Sequence, residues 1–158
     1  MKAGKLLVGV ALAVAAPLAA AQDRPPYGTP VTLEQAKKIA TAAIDESRKQ
    51  NWRMAVAIVD NHGFLKYYEM MDDTQTASAQ IAIDKAKSAA MYRRPTKVFE
   101  DLVNKGAVRL MSLPGAVPIE GGIPIMVGGR VAGAIGVSGM TSEQDGMAAA
   151  AGLKVIQQ

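Results

Sequence analysis

Apolar residues recur at two spacings along the chain, and each spacing predicts one kind of element. Between Thr32 and Arg48 the apolar residues fall on one helical face, and Thr32 and Gln35 have the spacing of a capping box, which predicts where this helix begins. Two shorter runs, MAVAIVD at 54–60 and FLKYYEM at 64–70, are rich in strand-forming residues and are joined by a tight turn. The first run is apolar throughout, which predicts a central strand.

The next part of the chain predicts two helices. An alanine-rich stretch from about Thr76 to Tyr92 is typical of a helix that lies close to a sheet. A shorter amphipathic helix follows in KVFEDLVNKG, with Thr96 as its cap and Gly106 as its stop. The residues of this helix that we expect to face inward are Val98, Phe99, Leu102 and Val103.

The last third predicts a second hairpin and a final helix. The runs IPIMV and VAGAIGV flank a turn that contains Gly128 and Gly129, and a second capping box formed by Thr141 and Gln144 predicts the start of the helix. The predicted order is α-β-β-α-α-β-β-α. Because no helix separates the strands of either pair, we expect a mainly antiparallel sheet flanked by helices, which is the α+β class.

The N-terminus differs from the rest of the chain. Residues 1–21 combine two lysines, an apolar run and a small-residue end, which is the layout of a secretory signal peptide. We predict cleavage before Gln22, a linker over 22–31 and one domain over 32–158, in a protein that is periplasmic or secreted. An uncleaved membrane anchor is the alternative; after cleavage we expect no stable membrane span.

Charge and cysteine content exclude several kinds of site. The chain has 18 basic and 14 acidic residues, a net charge of +4, and loss of Lys2 and Lys5 with the signal leaves 16 against 14, or +2. Aromatic residues make up only 4% of the chain and no basic face is apparent, so we expect no nucleic-acid partner. Without cysteine there is no disulfide and no thiolate ligand.

The glycine-rich segment GGRVAGAIGVSGMTSEQDG, residues 128–146, raises the question of catalysis. A nucleophile elbow would need glycine where the chain has Met140, and the only histidine, His62, lies in the first hairpin turn. No phosphate-binding P-loop motif occurs either. The sequence therefore predicts no catalytic residue set.

Two interpretations of this segment remain. The backbone amides at Ser138, Gly139 and Met140 precede a helix, and amides in that position can receive a carboxylate from a ligand. Alternatively, Gly133 and Gly136 simply let a helix press against the sheet. Composition favours the second interpretation.

Four stretches occur in an order typical of one family: VAIVDNHGFLKYYEMMD, IAIDKAKSAA, GGIPIMVGGRVAGAIGVSG and QDGMAAAAGL. From about Thr32 to its end the chain resembles the GlcG/HbpS-type haem-binding proteins, a family that includes the C-terminal domain of some cobalamin adenosyltransferases. The resemblance implies a profilin-like or roadblock-like sandwich that forms homo-oligomers, commonly octamers. It also implies haem or a related tetrapyrrole as the ligand, with a cobalamin-type corrinoid as the alternative.

Several positions match the family pattern and mark the fold more than the chemistry. They are Asp60, Gly63, Asp72, Lys85, Gly121, Gly122, Pro124, Ser138, Gly139, Gln144 and Asp145. The residues that we expect at a ligand are Lys85, Arg93, Arg94, Gly121, Gly122, Ser138 and Gly139. The alternatives are a solvated side chain for the lysine, and a favourable interaction with a helix end for the arginines.

The axial ligand of a haem iron is left open by the sequence. His62 is the candidate, although a histidine in a turn more often coordinates no metal. The chain also offers four tyrosines and nine methionines. Four of these methionines, which core packing explains equally well, are Met70, Met71, Met140 and Met147.

These observations together predict an exported, oligomeric haem-binding protein for haem storage, scavenging or redox sensing, and they favour a binding protein over an enzyme. One alternative is an enzyme or a non-catalytic accessory protein of small-carboxylate, glycolate-type, or corrinoid metabolism. Another is an assembly module without a specific ligand.

Overall fold

The computed structural model describes residues 24–156 of the chain. The signal peptide predicted over 1–21 and the cleavage point before Gln22 lie outside the described residues, so both stay predictions. No helix between residues 24 and 156 combines the length and the apolar character that a membrane span requires.

The described chain contains four α-helices and four strands. The helices are α1 (Leu33–Lys49), α2 (Ser78–Tyr92), α3 (Lys97–Asn104) and α4 (Ser142–Leu153). The strands are β1 (Ala55–Asp60), β2 (Leu65–Met70), β3 (Gly122–Val127) and β4 (Arg130–Ser138). Short 3₁₀ helices cover Val108–Ser112 and Lys154–Ile156. The order of the α-helices and strands confirms the predicted α+β arrangement.

The strands form one antiparallel sheet in the order β2-β1-β4-β3. The two hairpins join through β1 and β4, where Ile58 lies opposite Ile135. This pairing confirms that β1 is a central strand. The hairpin turns use the glycines as predicted, since Gly63, Gly128 and Gly129 have φ values of +87°, +56° and +74°.

Helices cover both faces of the sheet. Helices α1 and α4 pack on the face that carries Val56, Ile58 and Ile135, whereas α2 packs on the opposite face against small side chains of β1 and β4. At Gly136 an added Cβ would collide with the backbone of Ala82 and Ala86. Glycine at this position therefore lets α2 lie directly on the sheet, as the packing interpretation predicts. The same interpretation is wrong for Gly133, where a Cβ would meet the Val59 carbonyl of the neighbouring strand and the Val31 side chain.

Helix α3 corrects two expectations. Thr96 does not cap it: its hydroxyl oxygen accepts the N–H of Gly122 at 3.0 Å, while its own N–H donates to the Gly122 carbonyl at 2.9 Å. Of the four residues expected to face inward only Phe99 is buried, and Val98 and Leu102 are exposed. An eight-residue helix at the surface presents too little area to bury a whole apolar face.

The described part of the predicted linker belongs to the folded unit. The N–H groups of Gly28 and Val31 donate to the carbonyls of Val131 and Ala132 on β4, at 3.0 and 2.8 Å. The side chain of Val31 is buried in the core beneath α1. Ordered structure therefore begins before the first helix.

Candidate functional site

A pocket of about 370 Å³ lies where the chain turns from α2 towards α3, beside the edge strand β3. Arg93 ends α2 in the left-handed conformation, with φ of +53°, and Arg94 follows it. Both arginines line the pocket, and its remaining surface is largely apolar, with Ile123 and Pro124 from β3 and Leu153 from α4. The structure thus brings together the two arginines predicted from the sequence and an apolar surface.

The guanidinium groups of these arginines rest on aromatic rings. Arg93 lies 5.2 Å from the ring centroid of Tyr27 and donates a hydrogen bond to the Pro25 carbonyl at 3.3 Å. Arg94 lies 5.5 Å from the ring centroid of Phe99. These contacts hold planar cations in place and leave donors directed away from the rings.

No carboxylate within residues 24–156 forms a salt bridge with Arg93 or Arg94. Burial, reinforced by the positive charge of Arg24, lowers the pKa of Arg94, although an arginine remains charged at neutral pH. The positive charge beside the apolar surface is therefore not neutralised by the described chain. An anionic ligand with an apolar body would supply the missing partner.

Lys85 lies elsewhere and is not solvated. Its side chain is 1% exposed, and its Nζ lies 2.7 Å from Oδ2 of Asp145 and 3.2 Å from the Val137 carbonyl oxygen. The alternative of a solvated lysine is wrong, because the ammonium reaches Asp145 on α4, in the helix layer on the other face of the sheet. The sequence gives no local sign of this pairing, since the two residues are 60 positions apart.

Asp145 also occupies the site where the sequence allowed a ligand carboxylate. Its Oδ1 accepts the N–H of Met140 at 3.1 Å, at the start of α4. Burial raises the pKa of Asp145, while Lys85 and the amides of Met140 and Gly139 oppose that shift. The anion that binds the amides of Met140 and Gly139 at this helix start is therefore a side chain of the protein itself.

The remaining predicted glycine and serine positions are packing contacts around this ion pair. Gly121 has φ of +127°, and a Cβ there would lie 2.9 Å from Lys85 Nζ. A Cβ on Gly122 would meet the Lys85 backbone, and one on Gly139 would meet the Arg53 carbonyl. The hydroxyl of Ser138 is buried and donates to that of Ser78 at 3.2 Å. The structure does not bring Lys85, Gly121, Gly122, Ser138 or Gly139 to the arginine pocket.

His62 is exposed at the tip of the first hairpin. The carboxylate of Asp60 accepts the N–H groups of His62 and Phe64, at 2.9 and 3.0 Å, so the Asp60 side chain holds the turn without an imidazole contact. Between residues 24 and 156 no group of three or more histidine, aspartate or glutamate side chains forms a metal site. His62 is not among the residues that line the arginine pocket.

A family model described as "Haem degrading protein HbpS-like" matches residues 31–154. The chain belongs to the HbpS-like family. The match covers all four strands and all four α-helices, so the family resemblance drawn from the sequence is confirmed.

Two relatives illustrate the range of the HbpS-like family. The chain is 39% identical to Protein GlcG of Escherichia coli K12 over 112 residues, which cover 70% of this chain and 84% of GlcG. It is also similar to the crystal structure of a double mutant of Streptomyces reticuli HbpS, with 31% identity and a TM-score of 0.76. That alignment covers 90% of this chain and 97% of the HbpS chain.

A third relative is a larger protein, and this chain matches only part of it. The corrinoid adenosyltransferase PduO of Salmonella typhimurium is 31% identical over 137 residues, which cover 81% of this chain but only 40% of PduO. A crystal structure of a PduOC–haem complex shares the fold, with 24% identity and a TM-score of 0.74, over 81% of this chain and 96% of that one. The predicted relation to adenosyltransferase domains is confirmed.

Sequence reasoning missed two features of the site. Arg24 adds its charge beside Arg94, and Met126 on β3 lines the same pocket. Arg24 lies in a proline-rich stretch and Met126 in an apolar strand. Neither stands at a sequence spacing that links it to Arg93 and Arg94.

Proposed function

We propose that this protein binds haem in the arginine pocket, for haem storage, scavenging or redox sensing. The observation that carries the proposal is the pair of guanidinium groups, Arg93 and Arg94, that face an apolar pocket without a carboxylate partner among the described residues. The family model is described by haem chemistry, and the PduOC relative was crystallised with haem, which supports the same ligand.

The residues of the pocket fit the two chemical parts of haem. Arg93 and Arg94 would bind the propionates, because planar guanidinium groups match carboxylates and the stacked rings already hold them in position. Ile123, Pro124 and Leu153 would contact the apolar macrocycle and exclude water from it. The bound iron would supply redox chemistry.

The charge of the pocket favours haem over a corrinoid. Haem presents two carboxylates, whereas the periphery of cobalamin consists mainly of neutral amides. An amide leaves the charges of Arg93 and Arg94 unneutralised, so a corrinoid gains less from this pocket. The corrinoid alternative is therefore the comparison ligand of the experiment.

The test is a pair of titrations, with haemin and with cobalamin, of protein that begins at Gln22. We expect saturable haemin binding with a defined Soret band, and no saturable cobalamin binding. The double variant Arg93→Gln/Arg94→Gln should weaken haemin binding at least about tenfold, because charged hydrogen bonds contribute about 1.5–3 kcal/mol each. Arg109→Gln, which changes an exposed arginine outside the pocket, is the control and should bind as wild type. Non-saturating haemin binding, or equal binding by the double variant, would overturn the proposal.

The family description adds haem degradation as a second candidate activity. Haem breakdown consumes dioxygen and a reductant, so the haem-loaded protein is mixed with ascorbate in air. Loss of the Soret band at a rate above that of free haemin would make the protein an enzyme. A stable band would assign it to haem binding alone.

Export and self-association complete the proposal. The signal-like layout of residues 1–21 supports cleavage before Gln22, and the HbpS-like resemblance supports a homo-oligomer, with an octamer as the expected size. Intact-mass measurement of the exported protein and native mass spectrometry test the two points. A mass that includes Met1 would contradict cleavage, and a monomer at micromolar concentration would contradict assembly.

A further inference from the structure

A methionine side chain lies in the arginine pocket. Met126 is on β3, an edge strand of the described sheet that pairs with β4 on one side and is hydrogen-bonded to Thr96 at Gly122 on the other. The pairing of β3 with β4 is irregular between Ile125 and Met126, where the register shifts. Ile125 is fully buried, whereas Met126 is 37% exposed, so the thioether is accessible from the pocket.

Charge distinguishes this methionine from the others that line pockets. Met147 lines a pocket with four carboxylates, from Glu100, Asp101, Glu120 and Glu143. Met70 and Met71 line one in which Glu69, Asp72 and Asp73 oppose Arg48 and Arg53. Carboxylates in these two pockets would repel the propionates of haem. Of the three pockets, the one with Met126 alone has no carboxylate in its lining.

We infer that the thioether sulfur of Met126 is an axial ligand of the haem iron. A thioether is a soft donor that haem iron accepts, and no histidine or tyrosine lines this pocket. Met126 lines the same pocket as Arg93 and Arg94, which would hold the propionates, and as the apolar residues that would contact the macrocycle. This inference rests on the proposed haem site.

The test compares Met126→Leu with wild type in haemin titrations and in reduction-potential measurements. Leucine conserves apolar volume, and the arginines remain, so we expect saturable binding with an affinity close to that of wild type. Loss of the sulfur should shift the Soret maximum and lower the midpoint potential, because methionine ligation raises the potential of haem iron. Met140→Leu, an exposed methionine at the start of α4, is the matched control and should change neither.

Two outcomes separate this inference from the proposed function. If wild type binds haemin saturably and Met126→Leu has the same spectrum and potential, Met126 is not a ligand and the haem site stands. If wild type does not bind saturably, the haem site itself fails, and the inference with it. His62→Ala should leave the spectrum unchanged; loss of the wild-type spectrum in that variant would assign the ligand to His62 and overturn the inference.

Discussion

The ammonium nitrogen of Lys85 lies 2.7 Å from Oδ2 of Asp145, and both side chains are almost completely buried. Lys85 belongs to α2 on one face of the sheet, and Asp145 to α4 on the other. The pair meets at the end of the sheet where β4 ends, beside Gly121, whose lack of a Cβ leaves space for the ammonium. One ion pair therefore joins the two helical layers.

We predict that Lys85→Met destabilises the fold by about 3–5 kcal/mol. Methionine conserves most of the volume, but Asp145 would then be a buried carboxylate without its cation, and removal of one partner of a buried pair is strongly destabilising. Urea denaturation of the variant and wild type, followed by circular dichroism, measures the change.

The double variant Lys85→Met/Asp145→Asn is the control for this prediction. It removes both charges, and the asparagine oxygen can still accept the Met140 N–H, so it should be more stable than Lys85→Met alone. A double variant that is less stable than Lys85→Met would show that the ion pair is not the source of the loss.

Local signals allowed the helix starts to be predicted from the sequence. Thr32 accepts the N–H of Gln35 at 3.1 Å and Thr141 that of Gln144 at 3.3 Å, as the capping-box spacing requires. The same reasoning failed at Thr96, because its hydroxyl binds Gly122, 26 positions away. Contacts between distant segments leave no spacing pattern, which is why the arginine pair was found but its pocket was not.

We predict that Gly136→Ala destabilises the fold by at least about 1–3 kcal/mol, the usual cost of overpacking a core. The added methyl group would meet the backbone of Ala82 and Ala86, which cannot move without displacing α2 from the sheet. Thermal unfolding measures the change. Gly128→Asn is the control, because this turn glycine has open space and asparagine tolerates its φ of +56°; equal losses in the two variants would contradict the packing explanation.

Thr96→Val should cost about 1–3 kcal/mol, because it leaves the buried N–H of Gly122 without its acceptor. Thr141→Ala removes an exposed helix cap instead, and should cost about 1 kcal/mol. Urea denaturation of both variants compares the contributions of the two hydroxyl groups to the free energy of unfolding. A smaller loss for Thr96→Val than for Thr141→Ala would show that the Gly122 N–H finds another partner.

The pocket beside α3 that Glu100, Asp101, Glu120 and Glu143 line is acidic. Titration of Glu120 in this acidic pocket should make the stability of the fold depend on pH. Burial raises the pKa of Glu120 above its ordinary value of 4.5; the nearby Lys97 opposes this, while three neighbouring carboxylates add to it. The folded protein therefore holds the Glu120 proton more tightly than the unfolded chain does. This contribution to stability is complete below the unfolded-state pKa and is lost as pH rises through the folded-state pKa.

Glu120→Gln removes this titration, so the variant should gain stability relative to wild type as pH rises from about 4 to about 7, by no more than about 1 kcal/mol. Urea midpoints of the two proteins across this range measure the difference. Glu34→Gln is the control, and its stability relative to wild type should change with pH in the opposite direction. The reason is that the hydrogen bond and charge of Lys38 lower the pKa of Glu34. Its stabilising contribution is present above the unfolded-state pKa, so Glu34→Gln should lose relative stability over the same range. Parallel pH profiles for the two variants would contradict the raised pKa that burial and the neighbouring carboxylates give Glu120.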